Sequence, residues 1–430
     1  MSVGGCGPNG WKVIVKMSKP TGMAAYISVT AAYWAFMLSD GALRMLVLLH
    51  FHTLGFSPVQ LAYLFVLYEI AGIVTNLSAG WVAARFGLSS TLYAGLALQI
   101  IALAALLQLS QDWTIWASVA YVMFAQGLSG VAKDLSKMSA KSAVKLLAPK
   151  SEGGLFRWVA ILTGSKNAVK GVGFFVGAVA LGTFGFHAVI QGMALFLSVI
   201  LLVLLFRMPV GLPTGRKDAK FKEVLSKNAN VNWLSLARVF LFGARDVCFV
   251  VGIPIYFYAV LSDGSTEGNR NAFFLIGGFM AIWIILYGFV QGNAHRILRA
   301  TMRGSSALIQ DAARWAWMLL IVPLCLCVFL YMRPDATTLN ATVVVIGLLV
   351  FGAIFAVNSS LHSYLILEFS TGSRVTMDVG FYYMANASGR LMGTLLSGIS
   401  YQMGGLSACL SIAAFMLALS AFAAGRLKSS

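Results

Sequence analysis

Charge is what this sequence has least of. Asp, Glu, Lys and Arg make up only 10% of its 430 residues, against roughly 25% in an ordinary soluble domain. Hydrophobic residues supply 59% and the mean hydropathy is +0.83, so the solvent for most of the chain is lipid and a single soluble core is excluded. Acids are scarcer than bases, 14 against 31, for a formal charge of +17. That balance would suit nucleic acid only on a soluble basic surface, and almost every residue outside the apolar runs lies in a short connection; nucleic acid is therefore not an expected partner. Cysteine is also sparse. Cys6, Cys248, Cys325, Cys327 and Cys409 form no CxxC or zinc-like spacing, and four of them sit within apolar runs as small fillers, so neither a metal nor a cofactor is expected. Val3-Gly4-Gly5-Cys6 is faintly like a lipoprotein cleavage box. No apolar region precedes it, so neither a signal peptide nor a lipid anchor is expected, and Met17 or Met23 is a candidate start.

What is present is a series of apolar runs, each long enough to cross a bilayer as a helix: 26–50, 59–84, 88–110, 113–132, 157–182, 186–207, 231–261, 273–293, 314–332, 340–367, 376–400 and 405–425. The expected fold is an all-α polytopic membrane protein of about twelve transmembrane helices. Sorting charges between alternate connections tests that count, because Lys and Arg collect on the cytoplasmic face. One set of connections holds the lysines and arginines of 12–19, Arg85, the stretch 133–157, 207–227, 296–314, Arg374, Arg426 and Lys428, while the other holds only Arg270 and Arg333. This bias predicts both termini in the cytoplasm of a multi-pass protein of a bacterial inner membrane.

The longest polar stretch divides the chain near its middle. The predicted organisation is a cytoplasmic segment 1–25, a six-helix bundle 26–207, a cytoplasmic linker 208–230, a second bundle 231–425 and a tail 426–430. Lys166-Asn167-Ala168-Val169-Lys170-Gly171-Val172-Gly173 can be laid on Asn386-Ala387-Ser388-Gly389-Arg390-Leu391-Met392-Gly393, matching Lys170 with Arg390 and Gly173 with Gly393. Parallel repeats of this kind, with a substrate site between them at the midplane, are the plan of major facilitator transporters. Gly80-Trp81-Val82-Ala83-Ala84-Arg85-Phe86-Gly87-Leu88 resembles that superfamily's loop motif, with Ala84 and Leu88 where an acid and a base are usual.

Charges inside the predicted spans carry the chemistry. They are the cations Arg44, Lys166, Lys170, Arg238, Arg245 and Arg390 and the acids Asp40, Glu69 and Asp246, three positive charges in excess. Each would cost about 2.5–3.5 kcal/mol facing lipid at a helix centre, so they face one another, water or a ligand. Lys170, Arg245 and Arg390 lie about 13–14 residues from the cytoplasmic ends of their spans, near the midplane at 1.5 Å per residue. Guanidinium forks with an ammonium favour an oxyanion. Arg44, Lys166, Lys170, Arg245, Arg390 and Asn386 are the candidate substrate-binding residues; Asn76, Gln291 and Asn358 either join them or bind helix to helix. Asp40, Glu69 and Asp246 serve either proton coupling or static salt bridges, for example Asp40 with Arg44 at i, i+4 and Asp246 with Arg245 or Arg238. Lys133, Lys137, Lys141 and Lys145 recur every four residues after the fourth span. They form a basic stripe that either holds topology and anionic lipid or funnels anions to the cytoplasmic mouth. No nucleophile and base are poised in the short loops, so an enzyme is not expected.

Tyr33-Trp34-Ala35-Phe36, Asp40-Gly41-Ala42-Leu43-Arg44-Met45-Leu46-Val47, Ala132-Lys133-Asp134-Leu135-Ser136-Lys137-Met138-Ser139-Ala140-Lys141-Ser142, Arg157 to Asn167 and Phe242-Gly243-Ala244-Arg245-Asp246-Val247 are similar to strings of the ArsJ family, the organoarsenical efflux permeases of the major facilitator superfamily. The resemblance implies two pseudo-symmetric six-helix bundles with lipid-facing helices three, six, nine and twelve, which here carry none of the intramembrane charges. It implies export of 1-arseno-3-phosphoglycerate by alternating access, conferring arsenate resistance. The substrate would be supplied by a glyceraldehyde-3-phosphate dehydrogenase that accepts arsenate. The same cation set would suit another organophosphate or carboxylate carrier; a proton-driven multidrug exporter fits the positive excess less well.

Overall fold

A computed structural model of the chain describes residues 19–110, 112–147, 154–208, 228–298, 305–333, 337–370 and 375–428. Ten apolar helical stretches in it are long enough to cross a bilayer. Two of them, 164–207 and 378–424, run 44 and 47 residues, about 65–70 Å and twice a hydrocarbon core. Each is interrupted near its middle. Gly185, at φ 76°, separates Gly154–Phe184 from Phe186–Arg207, and Gly404 and Gly405 (φ 61°) interrupt Val375–Ala424. The described residues therefore make twelve crossings.

In order, the spans are Lys19–Thr53; Pro58–Tyr63 with Val66–Phe86; Leu88–Leu106; Ile115–Leu147; Gly154–Phe184; Phe186–Arg207; Ala229–Val247 continuing through Cys248–Gly252 into Ile253–Leu261; Thr266–Ile297; Ser305–Met332; Thr338–Phe369; and the two parts of Val375–Ala424. An even number of crossings returns the chain to the face it left. Asn230, at the start of the seventh span, accordingly exchanges two hydrogen bonds with the backbone of Lys428, at 2.9 and 3.0 Å.

Apolar pattern decides which helices are central. The first span is buried along nearly its whole length, whereas the sixth exposes Leu195, Val199 and Phe206, the ninth Trp317, Ile321 and Val328, and the twelfth Phe415 and Phe422. Those exposed rows are large and aliphatic or aromatic, as a lipid-facing surface requires. The third, with Ile101 exposed, completes the outer set.

Glycine fixes the approach of the central helices. A side chain on Gly173 would come within 3.2 Å of the Ala42 nitrogen, and one on Gly393 within 2.9 Å of Asp246 Cβ. The fifth span thereby lies against the first and the eleventh against the seventh, so the two repeat-matched glycines make equivalent contacts in the two halves. One turn before each, Lys170 and Arg390 are delivered to the middle of the molecule.

The seventh span contains a π turn at Cys248–Gly252, just after Arg245 and Asp246. Pro254 accounts for it: a proline there lacks an N–H and crowds the carbonyl one turn earlier. The amides of Val251 and Gly252 turn to Ser397 Oγ on the eleventh span, at 3.1 and 3.3 Å.

Candidate functional site

The charges read from the sequence converge on one cavity of about 310 Å³ between the two halves, within the usual size of a small-molecule site. Lys170 donates to Asp40 at 2.6 Å, and Tyr68 donates to the other oxygen of Asp40 at 2.6 Å. Glu69 Oε1 accepts from Arg44 at 3.2 Å and from Arg390 at 2.6 Å. Asp246 is held by Arg245 at 2.6 Å and by Arg390 at 3.2 Å. Arg390, on the eleventh span, therefore bridges an acid of its own half and an acid of the other. The buried Glu69 Oε2 has no hydrogen-bond partner among the described residues.

This pairing corrects one expectation and decides between the alternatives of another. Asp40 does not pair with Arg44 one turn away; the close first-to-fifth helix contact brings Lys170 to it instead, and Arg44 crosses to Glu69 on the second span. Asp246 pairs with Arg245 and Arg390, not with Arg238. Arg238 lies between the rings of Phe242 and Tyr382, at 3.9 and 4.9 Å, and donates to Asn386 Oδ1 and to the carbonyl and hydroxyl of Ser359, at 3.0–3.1 Å.

The fourth span corrects a further expectation. It does not end at 132 but continues to Leu147, and Lys133 and Lys137 line the cavity. The stripe is thus a continuation of the span, and these two lysines stand in the cavity wall itself. Lys133 Nζ stands 3.9 Å over the Tyr68 ring. Lys137 bonds to Asp134 and, at 2.8 Å, to Asn76. Asp134, fully buried and also accepting from Thr75 at 2.5 Å, is an intramembrane acid that sequence reasoning missed because two flanking lysines gave its segment the look of a loop. The side chains of Arg85, Lys141, Lys145 and Arg157, and residues 1–18 and 209–227, lie outside the described residues. Lys166 lines the cavity with Asn167, which donates to Gln291 at 3.3 Å. Asn358 and His362 are fully buried, not ligand-facing.

Among the described residues, eight cations line the cavity and four carboxylates accompany them: Glu69, Asp134 and Asp246 in the wall and Asp40 behind Lys170. The excess is four positive charges, one more than the sequence indicated, because the fourth span adds two lysines and one aspartate. A family model described as Major Facilitator Superfamily matches residues 29–310. The chain belongs to the major facilitator superfamily. Similar solved folds include the nucleoside transporter NupG, with a TM-score of 0.68 and 16% identity over 95% of this chain and 100% of that one. Another is a POT family transporter in complex with a thioalcohol conjugated peptide, with a TM-score of 0.68 and 14% identity over 94% of each chain. No curated protein sequence matches.

As in other major facilitator transporters, the cavity lies between repeat-related bundles near mid-depth. Its wall runs from mid-membrane toward the face that carries the chain ends, through Asn76, Lys137, Leu162, Gln291 and Ser363. Toward the other face the halves meet. His52 stands edge-on to Tyr258, with ring centroids 4.7 Å apart, and Gly398 on the eleventh span packs against Pro58 and Ala62 on the second. This major facilitator protein is therefore closed on the face away from its termini.

Proposed function

We propose that the chain is a secondary active efflux carrier for a small organic oxyanion, the organoarsenical 1-arseno-3-phosphoglycerate. It would work by alternating access in a bacterial inner membrane with both termini in the cytoplasm, and confer arsenate resistance. The single observation that carries the reading is the cavity's excess of four positive charges between the halves. In a low-dielectric setting such an excess is costly when empty and is relieved by a small polyanion. An uncharged or cationic cargo would leave it in place.

In this reading the halves 26–207 and 231–425 rock against one another, tethered by the 208–230 linker. Substrate made by glyceraldehyde-3-phosphate dehydrogenase enters from the terminal face, where the cavity reaches. Its charge draws the walls together, and the contact between His52 and Tyr258 parts to release it. The strings around Arg44, Lys133 and Arg245 support an organoarsenical in particular; nothing in the charge count distinguishes arsenate from phosphate esters or carboxylates. Another organophosphate or carboxylate is thus the second reading. The cargoes of the nucleoside and peptide transporters above do not transfer at 14–16% identity.

Uptake into inverted vesicles tests the proposal. Arsenate supplied with the dehydrogenase, its aldehyde substrate and NAD is expected to accumulate only when the carrier is present, and arsenate alone is not. Equal uptake with and without the dehydrogenase would reject the organoarsenical, and no uptake of any phosphate or arsenate ester would reject the anion carrier.

A further inference from the structure

Lys166 aside, the other seven cavity cations fall into two groups by their partners. Arg44, Lys170, Arg245 and Arg390 each hold a carboxylate at 2.6–3.2 Å, and Lys137 holds Asp134. Arg238 and Lys133 also line the cavity, yet among the described residues neither has a carboxylate within 4.0 Å.

Both are held by neutral groups. The Arg238 guanidinium donates from Nε to Asn386 and from Nη1 to Ser359, its Nη2 has no acceptor among the described residues, and the rings of Phe242 and Tyr382 lie against it. Lys133 has a ring beneath its ammonium at 3.9 Å. The two residues are only 4% and 9% exposed. Ring faces and carbonyls orient a cation and lower its cost, but they leave its charge uncancelled in a membrane interior. One of the pair stands on the seventh span and the other on the fourth, so each half contributes one.

We propose that Arg238 and Lys133 are the two anchors of the cargo, and that the carrier selects small bis-acids, molecules with an anionic group at each end. One end meets the Arg238 Nη2 and the other the Lys133 ammonium. The proposal rests on the anion-carrier reading and reassigns its residues: the carboxylate-paired cations are the frame, and the two unneutralised ones are the contacts. A mono-acid cancels one of these charges and leaves the other alone, whereas a bis-acid cancels both and ties the halves together.

Calorimetric titration of the full chain in lipid nanodiscs tests this with two stable probes, propane-1,3-bisphosphonate and propylphosphonate. The unaltered protein is expected to prefer the bisphosphonate by about tenfold or more, the scale of one charge-assisted contact. Arg238→Gln and Lys133→Gln should each bring that ratio close to one, and Arg238→Lys should keep part of it. A ratio of one in the unaltered protein, or a ratio that survives both Gln changes, overturns the anchor assignment and leaves the anion carrier standing. Binding of neither probe overturns both. If Arg238 only fastens helices together, Arg238→Gln lowers the melting temperature with the ratio intact, which also overturns the assignment. Should that variant not insert, Lys133→Gln gives the same readout, and an Arg238→Lys ratio equal to that of the unaltered protein overturns the assignment of Arg238.

Discussion

At the scale of single residues, the site shows that spacing predicts which charges are buried but not whom they meet. Asp40 and Arg44 have the i, i+4 spacing of a helical ion pair, yet each reaches a different helix: Gly41 and Gly173 let the fifth span bring Lys170 to Asp40, and Arg44 extends to Glu69 on the second. The acid count fell short for a related reason: Asp134 between two lysines has no sequence mark that separates a buried triplet from a solvated one. The Asp40–Lys170 bond, with side chains 2% and 16% exposed, is suited to a double-mutant cycle. Asp40→Asn leaves a buried ammonium without its acid and is expected to cost about 3–5 kcal/mol. Adding Lys170→Gln should recover part of that loss in thermal unfolding. Additive losses would show that the two residues act independently.

At the scale of elements, the twelve crossings were legible in the apolar runs, because a lipid-spanning helix needs a length and a composition that nothing else in the sequence imitates. The ends were less legible. The fourth span continues past 132 since its lysines point into a polar cavity rather than into lipid, and hydropathy cannot tell a wet wall from a loop. The π turn of the seventh span was not read either, although Pro254 was its signal. Ser397→Ala is expected to leave the amides of Val251 and Gly252 without an acceptor and to cost about 1–3 kcal/mol, read as a lower melting temperature. Gly393→Leu should do more: with Asp246 Cβ in the way, the eleventh span must move off the seventh and transport should fall, while Gly192→Ala, on the sixth span with nothing within 4 Å, affects transport less. Equal transport by the two variants would count against close packing as the device that places Arg390.

At the scale of the whole molecule, the halves touch at the face away from the termini and enclose a cavity lined by charged and polar side chains toward the other. Cysteines placed at His52 and Tyr258 in a cysteine-free background should be joined by a short thiol cross-linker, and the joined protein should bind ligand from the terminal face but not transport it. Transport undiminished by cross-linking would mean that this contact never opens. The repeat between 166–173 and 386–393 was readable as sequence similarity, and the matched glycine contacts give it a physical meaning.

Arg390 bridges the halves, but it and Glu69 each have a second partner at home: Asp246 stays with the arginine and Arg44 with the glutamate. Parting the bundles at this level therefore breaks one bond without orphaning either ion, so this bridge does not by itself fasten a vacant carrier in one orientation. Efflux from loaded vesicles into a medium free of exchangeable anions should then run undiminished, as one-way export requires and obligatory exchange forbids.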